Sequence, residues 1–561
     1  MLSHQARGLY HPCSGAGRDR RATEVVLRTS VSYAVPSGVP LPSKDLRTDY
    51  AAGGLSEFFQ LAPGDTAAAL KLQRDVDRRA LAAAIRPHAT RLGAPQEALA
   101  GLERLAQPGS MAVVTGQQAG LLLGPMYTLS KAMTAVRLAQ RLDSEDRPVV
   151  PVFWVASQDH DVAEVDHAFL LDASETLHEA RVTLPAEVPV GRIPMQAAML
   201  AAVAASLGRH EPSPARLTDV LALLDETASA SRSFADWFSA QLYRFLGRYG
   251  LVVVDPMEPA VAALFGDVLR REVHEPLAGP ERVNAAGQAL RRLGHPPQLG
   301  RGDGATNLFI ELPGEDGLPR RTLLRAVRGG FVADGVRLTA ADVLARLDDD
   351  PTAVTPAAGL RPVVQDVLLP TAAAVLGPGE LAYVAQLRGV YELHSVPMPL
   401  AWPRATVTVL EPAAARLLDA LGATAAEFTA DPEAVLEKAL LTRHGSAAEF
   451  AKATAALEKA MVELLAHVDG IDPTLRGTVQ RGRRYLDATV ERLRGKSAAA
   501  LARKDADTRR QFERLVAHLT PSGQPAERVL SPYSHVLKFG LEPLLTRLEG
   551  ISEHGDHELR L

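Results

Sequence analysis

The sequence contains a single cysteine, Cys13, among its 561 residues. One cysteine excludes an intramolecular disulfide and a cysteine-cluster metal site, so we expect a reducing compartment, the cytoplasm. The chain also lacks any apolar run close to the ~18 residues that a membrane-spanning helix needs. Residues 1–28 lack the continuous apolar core of a signal peptide, and we predict that they form a disordered leader.

The charge balance gives no sign of a polyanionic partner. The chain carries 61 basic and 66 acidic residues, for a formal net charge of -5. We therefore expect no nucleic acid and no membrane among its partners. A composition of 47% hydrophobic and 23% charged residues is typical of a globular protein, and the length predicts two or three domains.

The most informative stretch, residues 110–168, has the pattern of a βαβ unit. An apolar run at 111–115 precedes a glycine loop at 116–125 and helical spacing of apolar residues over 126–142. A second apolar run, 149–156, ends in a polar cluster at 157–161. Because both faces of this run are apolar, it is predicted to be a central parallel strand covered by helices. Chemistry is then expected at the carboxyl ends of the two strands.

Strands and helices continue to alternate up to about residue 410. This alternation predicts an α/β fold with a doubly wound parallel-sheet core over residues 29–410, interrupted by insertions at about 181–215 and 285–350.

From residue 411 the pattern becomes helical. Residues 447–468 and 475–504 carry apolar side chains at near-heptad spacing around a short turn, which predicts an antiparallel hairpin in an α-helical coiled-coil domain at 411–520. Two interpretations stay open: a helical pair packed on its own domain, and a coiled coil that forms a homodimer. Residues 521–561 are predicted to hold a C-terminal helix that packs back on the core.

The glycine loop matches neither common nucleotide motif, since it has no G-x-G-x-x-G pattern and no Gly-Lys-Ser/Thr. Gly116 and Gly120 would still allow a ligand to approach the backbone, and Gln117 and Gln118 can donate and accept hydrogen bonds. The following helix could offer its N-terminus to an anion. The alternative is a strand-to-helix turn that merely requires glycine.

Asp159, His160 and Asp161 directly follow the most apolar strand and are the predicted catalytic residues. Such groups can ligate Mg²⁺, transfer protons or bind a substrate ammonium. A helix starting here would place Glu164 and His167 on the same face as His160, which raises a metal site as a hypothesis. We rank it below a substrate-binding or Mg-nucleotide role and predict no metal held by protein side chains alone. The alternative is a solvated helix cap.

A second polar group follows in residues 355–404, where glycine and proline suggest loops that return to a site. Arginine there can pair with a carboxylate or phosphate, and Lys131 in the first helix could reach a phosphate. The alternative for each is a structural salt bridge. The candidate binding residues of this group are Arg361, Asp366, Glu380, Tyr383, Gln386 and Arg404.

Six collinear segments resemble the bacillithiol-biosynthesis cysteine-adding enzyme family. They are VVTGQQAG at 113–120, GPMYT at 124–128, PVFWVASQDHD at 151–161, QD…LPT at 365–371, GPGELAY at 377–383 and PMP at 397–399. The resemblance runs from about residue 29 to the C-terminus, and these motifs add Tyr127 and Gly379 to the candidate binding residues. It implies a Rossmann-like core with connecting-peptide insertions and a coiled coil that mediates a homodimer.

The resemblance also implies a reaction, the joining of L-cysteine through its carboxyl group to the amine of glucosaminyl-malate. An amine and a carboxylate do not condense unaided in water, so ATP with Mg²⁺ is the expected driver, through an acyl-adenylate or an acyl-phosphate. The sequence lacks the His-x-Gly-His and Lys-Met-Ser-Lys-Ser motifs of class I synthetases, and the family's Ser-Pro-Asn is replaced by Thr355-Pro356-Ala357. The alternative function is a non-catalytic dimeric scaffold that binds a nucleotide or precursor and assists another ligase.

Overall fold

A five-stranded parallel sheet forms the centre of the protein. The computed structural model describes residues 45–209 and 213–561, so Cys13, the predicted leader and the start of the predicted core lie outside the described residues. Fourteen strands occur in the described part: β1 (Met111–Gln117), β2 (Val149–Val155), β3 (His167–Leu171), β4 (Leu177–Arg181), β5 (Val252–Val254), β6 (Ala305–Pro313), β7 (Pro319–Val327), β8 (Gly330–Ala333), β9 (Val336–Leu338), β10 (Val354–Pro356), β11 (Thr371–Leu376), β12 (Leu400–Pro403), β13 (Thr406–Leu410) and β14 (Asp556–Arg560).

The helices of the described core surround this sheet and its insertions. In chain order they are α1 (Leu46–Ala51), α2 (Thr66–Ala69), α3 (Arg78–Arg91), α4 (Gln96–Leu105), α5 (Tyr127–Leu142), α6 (Val162–Val165), α7 (Ala197–Gly208), α8 (Pro214–Ser229), α9 (Phe234–Leu246), α10 (Pro259–Ala262), α11 (Gly266–His274), α12 (Ala278–Arg292), α13 (Ala340–Asp349), α14 (Arg361–Leu368), α15 (Pro378–Val384) and α16 (Arg388–Leu393).

The strand order of the central sheet is β12-β11-β1-β2-β5, and all neighbouring pairs are parallel. The chain runs outward from β1 through β2 to β5 and later returns to the other side of β1 as β11 and β12. This reversal between β1 and β11 is the topological switch point of a doubly wound sheet, where such folds bind their ligands. The predicted Rossmann-like α/β class is therefore confirmed.

Both faces of β1 are covered, as the apolar strands predicted. Met111 and Val113 belong to one buried cluster together with Leu138 of α5, while Ala112 and Val114 belong to a larger cluster on the other face. The alternation follows from the two-residue side-chain period of a strand. Every residue of β2 is buried, which fits a central strand.

The second insertion forms a separate antiparallel sheet in the order β10-β6-β7-β8-β9. Strands β6 and β7 pair along most of their length, for example Phe309 with Leu323 and Glu311 with Arg321. This sheet brings β7 and β10 beside the carboxyl ends of the central strands. The first insertion begins at the last residue of β4, Arg181, and contains a 3₁₀ turn at Val190–Arg192 and helix α7. Residues 210–212 of this insertion are not among those that the structure describes.

The C-terminal region is helical, and two long helices form the predicted antiparallel hairpin. Its helices are α17 (Pro412–Leu421), α18 (Ala425–Ala430), α19 (Pro432–Arg443), α20 (Ser446–Ile471), α21 (Arg476–Ala502) and α22 (Ala506–Leu519). The shorter helices α17, α18, α19 and α22 pack around Phe428 and Leu515. The long helices α20 and α21 lie wholly in the described part, and Ala498 is the one residue of theirs that is buried.

The last segment differs from the single helix that the sequence predicted. It contains two helices, α23 (Pro532–Phe539) and α24 (Leu541–Leu548), followed by β14, which pairs with β13. The helices are separated at Gly540, whose φ of 93° a helix cannot accommodate. The sequence predicted one helix because both helices bury apolar side chains at helical spacing, so the apolar pattern does not show the break.

No helix in the described part of the chain is long and apolar enough to cross a membrane.

Candidate functional site

A cleft of about 600 Å³ lies at the carboxyl ends of the central strands. Its walls come from the loops after β1, β2 and β11, from α5 and α14, and from the antiparallel sheet. The site is thus built where the strand order reverses, between β1 and β11.

Only the first half of the glycine loop lines this cleft. Gly116, Gln117 and Gln118 contact it, whereas Gly120 and the residues up to Gly124 are buried elsewhere. A Cβ on Gly116 would lie 2.8 Å from the carbonyl oxygen of Trp154 on β2, so close strand pairing requires glycine here. The loop therefore serves strand packing first and presents two glutamine side chains to the cleft.

The C-terminal segment covers part of the N-terminus of α5, where an anion site was predicted. The Met126 amide, at the helix N-cap, donates to the Leu530 carbonyl oxygen at 2.8 Å. Ser531 Oγ donates to the Leu122 carbonyl oxygen at 2.7 Å and fixes the C-terminal segment over the loop. A contact from more than 400 residues further along the chain could not be read from the local pattern.

Asp159 stands at the centre of a polar network in the cleft. Gln118 Nε2 donates to Asp159 Oδ2 at 2.9 Å, so the loops after β1 and β2 are joined. Arg321 Nη1 of β7 lies 3.4 Å from Asp159 Oδ1, and the His160 amide donates to that oxygen at 2.8 Å. The carboxylate is thereby held in place by residues from three separate elements.

The hydrogen bond between Arg321 and His160 fixes the tautomer of the imidazole. Arg321 Nη1 lies 3.0 Å from His160 Nδ1. A guanidinium can only donate, so Nδ1 accepts and the neutral ring carries its proton on Nε2. Burial first, and then the charge of Arg321, lower the pKa of His160 below its usual 6.5. The neutral ring therefore presents an N–H donor at Nε2.

Arg321 is itself fully engaged. Its Nε donates to Thr355 Oγ1 at 3.0 Å and its Nη2 to the Pro356 carbonyl oxygen at 2.9 Å. The guanidinium stacks on the ring of Phe309, 3.8 Å from the centroid. Burial lowers the pKa of Arg321 to about 10, so the side chain remains charged near neutrality.

The structure differs from the prediction for Asp161 and for the helical face that was expected to bind a metal. Asp161 is exposed and does not line the cleft. Helix α6 ends at Val165, and His167 already belongs to β3, where its Nδ1 contacts Asp166 at 2.9 Å. The expected helical face of His160, Glu164 and His167 is therefore wrong. Glu164 does reach the cleft, where burial and the neighbouring Asp161 and Asp159 raise its pKa.

A different trio of potential metal ligands occurs in the described part, away from the cleft. His88, Asp236 and Glu258 place ligand atoms within 4.8 Å of one another. Arg91 bridges the two carboxylates, with Nη1 2.6 Å from Asp236 Oδ2 and Nη2 2.9 Å from Glu258 Oε1. A guanidinium in that position repels a metal cation, so the trio is an ion-pair network.

Lys131 and Glu380 form a buried ion pair that lines the cleft. Lys131 Nζ lies 2.6 Å from Glu380 Oε2 and also donates to Gln117 Oε1 at 3.0 Å. Gln117 Nε2 in turn donates to the hydroxyl of Tyr127 at 3.2 Å, which places that candidate in the same wall. Burial lowers the pKa of Lys131, an effect that the Glu380 carboxylate opposes.

Two arginines that the sequence predicted as binding residues line the cleft, but their guanidinium groups already donate hydrogen bonds to protein acceptors. Arg361 donates to Gln365 Oε1 at 3.0 Å and to the Tyr383 hydroxyl at 3.3 Å. Arg404 forms a two-pronged ion pair with Glu527, at 2.9 Å from Nη1 and 2.5 Å from Nη2. Its charge is thus balanced by a carboxylate from the C-terminal segment. Gly379 and Tyr383 also line the cleft.

Besides Gly120 and Asp161, two more candidates lie outside the cleft. Asp366 is buried behind it and accepts hydrogen bonds from Gln365 Nε2 at 3.0 Å and from the Tyr391 hydroxyl, and burial raises its pKa. Gln386 is fully buried and accepts from the amides of Gln298 and Leu299, both at 2.8 Å. Its role is to hold that loop.

The cleft also contains residues that the sequence did not single out. They come mainly from the insertion and from β2: Trp154, Gln158, Arg301, Phe309, Arg321 and Arg528. The Arg320-Arg321 pair was the one local signal available, and spacing does not distinguish it from surface charge.

The charged lining is predominantly positive. Six cationic side chains face three acidic ones: Lys131, Arg301, Arg321, Arg361, Arg404 and Arg528 against Asp159, Glu164 and Glu380. In a chain of net charge -5 this excess marks a site suited to an anionic ligand. The lining therefore suits phosphate or carboxylate groups, and Glu164 offers carboxylate oxygens of the kind that Mg²⁺ prefers.

Comparison with known proteins assigns both halves of the chain. Residues 42–405 match the family model "Bacillithiol biosynthesis BshC, N-terminal Rossmann-like domain", and residues 407–558 match "Bacillithiol biosynthesis BshC, C-terminal coiled-coil domain". Three relatives, each named "Putative cysteine ligase BshC", illustrate the similarity. A protein of Thermus thermophilus is 40% identical over 87% of this chain and 96% of its own length.

The other two come from different bacterial genera. The Solibacter usitatus protein is 33% identical over 79% of this chain and 82% of its own length. The Geobacillus thermodenitrificans protein is 32% identical over 92% of this chain and 98% of its own length. Matches of this extent cover the parallel sheet, the cleft and the helical hairpin together. The chain belongs to the BshC family of bacillithiol biosynthesis.

Proposed function

We propose that the protein is a cytoplasmic ligase that joins the carboxyl group of L-cysteine to the amine of glucosaminyl-malate, with carboxylate activation by ATP and Mg²⁺. The observation that carries this proposal is the network of Gln118, Asp159, His160 and Arg321 in a cationic cleft at the strand-order reversal. The names of the relatives, cysteine ligase, support the choice of reaction.

The anionic substrates suit the charge of the cleft. Glucosaminyl-malate carries two carboxylates and ATP carries a triphosphate, whereas the lining has an excess of cationic side chains. When bound, ATP with Mg²⁺ supplies the free energy that activates the cysteine carboxylate. Glu164 is the lining residue that would hold the Mg²⁺, and the cationic lining would hold the phosphates.

The chain's own residues have distinct roles in this proposal. The amine must lose a proton as it attacks, and the Asp159 carboxylate accepts it, since Gln118 and Arg321 fix the carboxylate's position. His160 donates from Nε2–H to a substrate oxygen, since Arg321 keeps the ring neutral and its Nδ1 occupied. Gln117 and Tyr127 orient the substrate from the α5 side.

Reconstitution from pure components tests the proposal. Purified protein with glucosaminyl-malate, L-cysteine, ATP and Mg²⁺ should form bacillithiol, detected by mass spectrometry. Asp159→Ala should reduce the rate at least ~100-fold, as expected for loss of a general base. The control, Asp146→Ala, changes an exposed carboxylate on a loop away from the cleft and should leave the rate unchanged.

Two outcomes would contradict this assignment. Undiminished product from Asp159→Ala would remove Asp159 from the mechanism. Absence of product with every nucleotide would favour the alternative, a scaffold that binds a precursor and assists another ligase.

We also propose that the protein forms a homodimer through its hairpin. Large apolar side chains on α20 and α21 face solvent, with exposed fractions of 46% for Leu464, 70% for Tyr485 and 55% for Leu493. Exposed apolar residues along a long helical pair are typical of a coiled-coil interface.

A further inference from the structure

The guanidinium groups that line the cleft are not equally available to a ligand. Arg321, Arg361 and Arg404 each donate to protein acceptors, and Arg404 is neutralised by Glu527. Arg301 and Arg528 differ from them, because no described residue forms a hydrogen bond or ion pair with either guanidinium, and of the two only Arg301 is largely buried. The Nε and Nη2 atoms of Arg301 are covered by protein and meet no hydrogen-bond acceptor among the described residues, so an anion reaches them only when the covering groups move.

The charged guanidinium group of Arg301 lies in a largely buried part of the cleft wall. The side chain is largely buried and lines the cleft, and burial lowers its pKa, an effect that Glu272 opposes. Among the described residues Arg301 forms no ion pair, and Glu272 acts on it only through the charge of its carboxylate. A buried guanidinium without partners costs free energy in the unliganded protein, which an anionic ligand would recover.

The backbone around Arg301 is held by two side-chain amides. Asn284 of α12 accepts from the Arg301 amide at 3.0 Å and donates to its carbonyl oxygen at 2.9 Å. Gln386 holds the preceding residues, Gln298 and Leu299, through their amides. These hydrogen bonds fix the loop that carries the Arg301 guanidinium group, and a fixed loop loses less conformational entropy when a ligand binds.

Gly359 leaves the room that the guanidinium needs. A Cβ at this position would lie 3.2 Å from Arg301 Nη2 and 2.7 Å from Asn307 Oδ1. Gly359 follows Ala357 and Ala358, which line the cleft, so Arg301 faces the same wall as the start of α14.

We propose that Arg301 is an anion-binding residue of the cleft, whose buried guanidinium group pairs with a carboxylate or phosphate of the substrate. This inference rests on the proposed function only for the identity of the anion. The two sources of that anion are the malate carboxylates of glucosaminyl-malate and the phosphates of ATP. Planar, two-pronged pairing with either group is the characteristic use of arginine.

The test measures binding without turnover. Isothermal titration calorimetry of the full-length protein would use glucosaminyl-malate, L-malate and ATP with Mg²⁺ as separate probes, for the wild type, Arg301→Gln and Arg301→Lys. Loss of the fork should raise the dissociation constant of the bound anion about 10- to 100-fold in Arg301→Gln. Arg301→Lys should show a smaller loss, since it keeps the charge without the fork.

The control variant is Arg292→Gln, which removes an exposed arginine at the end of α12 in the same insertion. Weakened binding of glucosaminyl-malate and L-malate alone assigns Arg301 to the malate carboxylates, and weakened binding of ATP alone assigns it to the phosphates. Thermal melting of each variant checks the fold, and Arg301→Lys carries the test where Arg301→Gln is unstable.

The proposal is overturned if Arg301→Gln and Arg301→Lys bind every probe as the wild type does, if Arg292→Gln shows the same loss, or if the wild type binds none of the probes. Because no turnover is required, failure of the ligase reaction in the reconstitution leaves these results unaffected. The two proposals can therefore fail separately.

Discussion

Lys131 Nζ and Glu380 Oε2 lie 2.6 Å apart and join the helix after β1 to the helix after β11. The pair spans the point where the strand order of the sheet reverses. The Lys131 side chain is 2% exposed and that of Glu380 is 25% exposed. Glu380 Oε2 also accepts the Gly377 amide at 2.8 Å, so one carboxylate orders the loop after β11 and neutralises a buried ammonium.

We expect Glu380→Gln to destabilise the protein strongly. The variant leaves the buried Lys131 ammonium without its counter-charge, and breaking such a pair costs about 3–5 kcal/mol. Urea denaturation of the variant measures the loss in the free energy of unfolding. Lys131→Met combined with Glu380→Gln should recover part of it, because no unpaired charge remains.

An exposed pair provides the control for this experiment. Arg248 and Glu542 lie 2.6 Å apart with side chains 40% and 68% exposed, so Glu542→Gln should cost less than about 1 kcal/mol. Equal losses for the buried and the exposed pair would show that Lys131 does not depend on Glu380.

The imidazole of His160 should titrate below its usual range because of burial and Arg321. Its pKa in the folded protein is lowered from 6.5, so the unfolded chain takes up this proton first as the pH falls. The stability that neutral His160 contributes is present above about pH 6.5 and is lost as the pH falls through the folded pKa. Arg321→Met removes a nearby positive charge and should raise the pKa of His160.

Nuclear magnetic resonance of ¹³C-labelled histidine rings measures this titration, with His160→Gln to assign the signal. Arg325→Met serves as the control, since Arg325 is an exposed residue on the same strand, β7. A midpoint that does not move in Arg321→Met would mean that the guanidinium does not act on the ring.

Two glycine substitutions should have opposite effects on stability. A Cβ at Gly116 would meet the Trp154 carbonyl oxygen at 2.8 Å, so Gly116→Ala forces β1 and β2 apart and should cost about 1–3 kcal/mol. Gly482 lies within α21 with nothing within 4 Å of its would-be Cβ. Gly482→Ala should stabilise the helix by about 0.5–1 kcal/mol.

Differential scanning calorimetry of both variants measures these changes as shifts of the melting temperature. A lower melting temperature in Gly482→Ala, or an unchanged one in Gly116→Ala, would contradict the packing described here.

The parallel sheet and part of the site could be predicted from local sequence. Strands β1 and β2 are recognisable as apolar runs, and the carboxyl ends of adjacent parallel strands meet at one edge. The approach of Gln118 to Asp159 follows from that rule alone. The strand-pairing role of Gly116 was not predicted, because the sequence suggested only ligand approach or a strand-to-helix turn and the contact with Trp154 comes from the neighbouring strand.

The remaining site residues depend on contacts between distant segments. Arg301 and Arg321 come from an insertion whose antiparallel sheet has no local signal for its position against the cleft. The N-terminus of α5 is covered by Leu530, and the charge of Arg404 is balanced by Glu527, both from the C-terminal segment. Periodicity and motif spacing describe one element at a time and cannot report such partners.

The exposed apolar side chains of the hairpin lead to the last prediction, on the homodimer. Leu464→Glu combined with Leu493→Glu places charges on residues that are 46% and 55% exposed in the single chain. If these residues form the dimer seam, the double variant should sediment as a monomer, because burying two carboxylates per chain in an apolar interface is strongly unfavourable. The fold should survive, because neither side chain is buried within the single chain.

Sedimentation velocity of the wild type and the double variant measures the change. The control is Lys459→Glu combined with Arg492→Glu, which alters charged positions that are exposed on the same two helices. An unchanged dimer in the Leu464 and Leu493 variant would place the interface elsewhere, while dissociation of both double variants would show that net charge, and not the apolar seam, controls association. Dissociation of the leucine variant alone identifies Leu464 and Leu493 as interface residues, since the two variants share their helices and differ in which side chains they change.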